Sequence, residues 1–171
     1  MCRPKGDSVI IRLALPCLCV LGLIVLSSGP AAAQVVSGSY VGHGGTAVWS
    51  SSNVLTSWDA ASLRAQGRQP VLLTMNCLNG YFVTPNLDAL PEALLKAEGR
   101  GVVAAFSPSG LSLDGPAHEY HRALVAELAG GRHQRLGDAL LAAQAAYAQT
   151  GLMPELLAVY QLLGDPATRI R

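Results

Sequence analysis

Three short β-prone runs, spaced by stretches long enough for helices, constrain this chain more than any other feature of its sequence. They are residues 35–40, Val71–Met75 and 101–106. Val71–Met75 lies between Pro70 and Asn76 without polar alternation, which suits a strand covered on both faces. Helical segments are predicted over about 57–65, 88–98, 116–129, 136–149 and 154–163. Their stops are Gly99, the Gly130-Gly131 pair, Gly151 and the Gly164-Asp165-Pro166 turn. Strands alternating with helices of this length argue for parallel βαβ units and an α/β fold. The spacing shows neither an internal repeat nor a low-complexity linker.

Residues 1–33 read as a secretory leader. Arg3, Lys5 and Arg12 make a basic start, residues 13–26 carry no charge, and Ala31-Ala32-Ala33 supplies small side chains for a signal peptidase. The apolar run is shorter than the ~20 residues that span a bilayer, and Pro16 interrupts it, so no stable membrane span is expected. Residues 34–171 then form one domain, secreted or periplasmic/extracellular. Twelve basic residues against eleven acidic ones give a net charge of +1, which does not favour a nucleic-acid partner.

Removing the leader takes Cys2, Cys17 and Cys19 with it and leaves Cys77 alone. No intramolecular disulfide can then form, so Cys77 is an intermolecular bridge, a thiol kept for chemistry or a small buried hydrophobe. The small buried hydrophobe is the commonest state of a free cysteine, but the position of Cys77 raises the chemical reading beside it. A right-handed crossover lays the second strand parallel to the first, so residues just past their carboxyl ends face one crevice. His43 follows the first strand and Cys77 the second. An imidazole beside a thiol can take its proton and later protonate a leaving amine. Glycines around His43 admit a substrate backbone and free the Gly44 N–H to meet an oxyanion together with the Cys77 N–H. Taken by themselves, these residues fit a catalytic pair and a structural coincidence equally well.

The strings Tyr40-Val41-Gly42-His43-Gly44, with Trp49 following, and Leu73-Thr74-Met75-Asn76-Cys77-Leu78-Asn79-Gly80-Tyr81-Phe82 resemble the gingipain family of cysteine peptidases, which share the caspase-like fold. The resemblance continues through Glu92-Ala93-Leu94-Leu95, residues 101–106, Ser107-Pro108-Ser109-Gly110 and Leu162-Leu163-Gly164-Asp165-Pro166. It implies a caspase-like (Rossmann-like) parallel sheet, here partial with about three strands and flanking helices. It also implies a cysteine-type endopeptidase acting on peptide bonds in proteins through a thioester acyl-enzyme. His43 would be general base and acid, Cys77 the nucleophile, and the Gly44 and Cys77 amides the oxyanion hole. No metal or cofactor is implied, and no substrate-pocket residue can be assigned.

Family members carry further strands, an orienting acidic group and part of the substrate pocket before the histidine strand. The expectation is therefore a carboxyl-terminal part of the catalytic domain, truncated at its N-terminus. It is a fragment, a degenerate non-catalytic remnant or interaction module, or a protein whose sheet a missing N-terminal portion or second chain completes. A sortase-like transpeptidase is a further alternative, since an amine can resolve an acyl-enzyme.

Outside these motifs the expectations are plain. His118, His121 and His133 are read as exposed helix histidines, and Glu119 and Glu127 as a solvated face. Trp49 and Trp58 are expected to pack against the sheet. Leu124, Leu128, Leu136, Leu140, Leu141 and Leu157 have core-facing spacing.

Overall fold

The fold was obtained as a computed structural model, which describes residues 37–170; the leader reading falls outside them. In chain order the elements are β1 (Ser37–Val41), β2 (Gly44–Gly45), β3 (Val48–Trp49), β4 (Leu55–Thr56), a 3-10 helix (Ser57–Ser62), β5 (Val71–Met75), α1 (Leu90–Lys96), β6 (Ala104–Pro108), α2 (Asp114–Ala129), α3 (Leu136–Ala148), α4 (Leu156–Val159) and β7 (Tyr160–Gly164).

The main sheet has the order β1-β5-β6-β7. β1, β5 and β6 run parallel, and β7 returns antiparallel. Every residue of β5 and β6 is buried, as expected for strands covered on both faces. The side chains alternate between two cores. Val71, Leu73, Met75, Ala104 and Phe106 face a large cluster with α2 and α3, whereas Leu72 and Ala105 face a smaller one with α1 and the 3-10 helix. α2 contributes Ala117, Tyr120 and Leu124 to the large core, and α3 contributes Leu136, Ala139, Leu140, Ala143 and Tyr147. Both sets follow helical spacing. Tyr120 stacks on Tyr147 at 4.6 Å and meets Phe106 and Tyr160 edge-on, which locks the helices to the sheet.

Several expectations need correction. The helix predicted over 154–163 exists only as the single turn α4, and the rest is β7. A short, mostly apolar run such as Tyr160-Gln161-Leu162-Leu163 is ambiguous between helix and strand. Here the open edge of β6 decides it, because Ala104 to Pro108 find backbone partners in Gly164 to Tyr160. The sheet therefore has four strands, one of them antiparallel, where about three were expected. The third strand begins at Ala104, because the preceding residues turn back on α1: Gly101 N–H donates to Ala97 and Val102 N–H to Leu94. The segment after Thr56 forms a 3-10 helix, with the Asp59 carboxylate accepting from the Thr56 N–H and hydroxyl. Strands β2, β3 and β4 make a small antiparallel sheet that the sequence pattern does not signal.

Candidate active site

The last paired residues of β1 and β5 are Val41 and Met75. The Gly42 N–H extends the ladder by one bond to the Met75 carbonyl, at 3.2 Å. His43 and Cys77 are each two residues past that pair, at the carboxyl end of adjacent parallel strands. His43 is exposed and Cys77 half-buried as a free thiol.

One asparagine ties the loops carrying these residues together, and a second packs between them. Asn79, fully buried, donates to the Gly45 carbonyl at 2.9 Å and accepts from the Trp49 indole at 2.8 Å. Trp49 in turn stacks flat on Tyr40, with ring centroids 4.3 Å apart, and the Tyr40 hydroxyl donates to the His43 carbonyl at 2.8 Å. The Ser50 N–H donates to the same carbonyl, also at 2.8 Å. Asn76 lies directly under Gly44: a Cβ there would run into the Asn76 side-chain amide, so a larger residue at 44 would force Asn76 to shift. The Asn76 amide is buried, with neither polar atom hydrogen-bonded among the described residues.

The cysteine loop is fixed from its other side by the last residue of β6 and the segment that follows it. The Leu78 N–H donates to Gly110 at 2.9 Å and the Gly80 N–H to Pro108 at 2.7 Å. Leu78 adopts a left-handed φ of 59°, a conformation rare for a branched side chain and found where a turn is held from several directions. The Cys77 Sγ lies 3.5 Å from both the N–H nitrogen and the carbonyl oxygen of Ser112. The Ser112 and Tyr160 hydroxyls share a 2.9 Å hydrogen bond. Burial pushes the Tyr160 hydroxyl up to about 12; the Ser112 bond opposes this and the neighbouring Cys77 adds to it. Tyr160 therefore stays protonated at neutral pH.

Away from this end of the sheet, the histidines differ from one another. His118 is exposed, as expected, but His121 is only 8% exposed, and its Nε2 lies 2.9 Å from the Ser39 hydroxyl in β1. Its place on the buried stripe 117-120-121-124 of α2 explains the burial. Desolvation, and to a smaller extent His118, lowers its pKa. His133 is half-buried and meets Glu127 at 2.8 Å, and Glu127 also pairs with Arg132. Glu119 pairs with Arg122 one turn along α2. No group of three or more metal-ligating side chains occurs among the described residues. Trp58 is 69% exposed and does not pack on the sheet, and Leu141 also faces outward.

The sequence reading missed the asparagine–tryptophan clasp and the Ser112 contact to sulfur. In the sequence, Asn76 and Asn79 stand out only as neighbours of Cys77. Their partners are supplied by tertiary structure.

A model of peptidase family C25 matches residues 31–171. A search of curated proteins gives no match. The fold is similar to the crystal structure of the Arg-specific cysteine proteinase gingipain R, with a TM-score of 0.71 and 19% identity, covering 79% of this chain and 33% of that one. It is similar also to the complex of Porphyromonas gingivalis RgpB pro- and mature domains, with a TM-score of 0.70, 19% identity, and coverage of 79% and 34%. A third protease structure gives a TM-score of 0.64 at 15% identity, covering 78% of this chain and 35% of that one. The chain thus spans about a third of the length of the solved chains it matches. A family match over this extent, together with the shared fold, places the chain in peptidase family C25, the gingipain family.

Proposed function

We propose that this chain carries the His–Cys portion of an exported cysteine endopeptidase. The observation supporting this most directly is the register of β1 on β5, which leaves His43 and Cys77 at equal offsets beyond the Val41–Met75 pair. The clasp through Asn79 adds to it, since it ties the loop after β5 to the loop after β1.

In this reading the Cys77 thiol loses its proton to His43, and Sγ attacks the carbonyl carbon of a peptide bond. The Gly44 and Cys77 N–H groups receive the oxyanion. His43 then gives its proton to the leaving amine as the C–N bond breaks, leaving a thioester. Water, deprotonated by His43, attacks the thioester, and the thiol and a free carboxylate are released. The substrates are proteins and peptides.

Among the described residues β1 pairs only with β5. Its other edge suits a strand from a further portion of the protein or from a second chain, as edges of this kind are normally paired or covered. Export rests on the leader. Among the described residues no helix is long and apolar enough to cross a membrane.

Incubation of the purified chain with a broad peptide library tests the activity. The expected result is cleavage that Cys77→Ala abolishes. Cleavage surviving Cys77→Ala, or none by the wild-type chain, would reject the assignment for this chain. Ligated product on adding an amine nucleophile would redirect it to transpeptidation.

A further inference from the structure

The segment that touches the sulfur carries a second feature, unused by the chemistry above. Ser112 reaches Cys77 Sγ with its backbone while its hydroxyl is tied to Tyr160. Leu113 is extended, with φ −90° and ψ 138°. In extended chain, successive side chains alternate sides, so the neighbours of an inward Ser112 are directed outward. The exposures agree: Leu111 is 71% exposed and Leu113 61%. Single exposed leucines are ordinary on a protein surface. Two of them flanking the residue in contact with a candidate nucleophile are not scattered, and their position is fixed. The Gly110 carbonyl accepts from the Leu78 N–H, and the Ser109 N–H and hydroxyl both donate to the Val159 carbonyl.

We propose that Leu111 and Leu113 form an apolar shelf beside Cys77 that selects peptides with an aliphatic or aromatic side chain adjoining the attacked carbonyl. This rests on the cysteine peptidase reading and names a substrate class for it. The class differs from arginine, the specificity stated for gingipain R. A peptide laid across the thiol passes this segment, and an apolar side chain there covers both leucines and leaves water. The competing determinant is Asp114, exposed at the start of α2 directly after Leu113, which would attract a basic side chain instead.

N-acetyl chloromethyl ketones of leucine, arginine and glutamate separate these cases, because their single side chain adjoins the carbonyl of the reactive group. Cys77 sulfur displaces chloride and forms a thioether. The rate with each is divided by the rate with iodoacetamide, which carries no side chain. The full chain is expected to favour the leucine reagent over the other two by about tenfold. The Leu111→Ser/Leu113→Ser double variant should lose that preference, and Leu111→Met should keep it. Equal ratios, a faster arginine reagent, or a preference that survives the double variant would overturn the shelf and leave the nucleophile standing. Failure of iodoacetamide to label Cys77 in the folded chain would overturn both.

Discussion

The side chain of Asn79 joins two loops that leave different strands, and it does so in a place water does not reach. Asn79→Ala would strand the Gly45 carbonyl and the Trp49 indole N–H without a partner. Leaving buried groups unsatisfied costs more than removing both members of a bond, so a loss of about 2–4 kcal/mol is expected. Trp49→Phe keeps a ring on Tyr40 but strands the buried Asn79 Oδ1, and should cost about 1–3 kcal/mol. Urea titration checks both, and a loss for Asn79→Ala within surface-substitution range would show that the clasp does not hold the loops. His121 gives a prediction in pH. Its pKa is lowered in the folded chain, so the unfolded chain binds the proton more readily. The stabilisation is complete above the ordinary histidine value near 6.5 and is lost as pH falls through the lowered folded value. His118 on the same helix opposes protonation, and the Ser39 hydroxyl faces the ring from β1. The wild-type chain should therefore lose more stability on acidification below 6.5 than His121→Gln does, as measured by urea titrations across that range. Parallel curves would show that His121 does not contribute.

At the scale of elements, the glycines separate what the backbone requires from what it tolerates. Gly164 ends β7 at φ 133°, and a Cβ there would sit 2.8 Å from the Ala104 Cβ. Gly164→Ala should cost about 1–3 kcal/mol, since both the dihedral and the contact resist it. Gly67 has open space and an ordinary backbone, so Gly67→Ala should be neutral or stabilising by up to about 1 kcal/mol. Thermal or urea midpoints distinguish the pair, and equal costs would refute the account of β7. The same contrast explains which elements are legible in the sequence. α1, α2 and α3 are legible because glycines stop them and their apolar residues recur at helical spacing. β7 is not, because Tyr160 to Leu163 continue an apolar pattern and only the edge of β6 makes them a strand. Strands β2, β3 and β4 have two residues each, too few for any period to register.

Over the whole molecule, the order of strands does most to assemble the site. Once β1 and β5 are parallel neighbours, residues 43 and 77 must emerge at the same end of the sheet, which is why that much is legible in the sequence alone. The supports are not. Asn79 finds its partners 30 and 34 positions away, and the sulfur finds Ser112 35 positions away, separations at which no local pattern carries a signal. The central claim concerns the His43–Cys77 pair, and one comparison addresses it directly. The rate of Cys77 alkylation by iodoacetamide is measured at neutral pH in the wild-type chain and in His43→Ala, with folding verified in both. A thiol assisted by an imidazole should react faster in the wild type by about tenfold or more, because the base takes the proton as sulfur attacks. Equal rates with and without the imidazole would contradict the pairing.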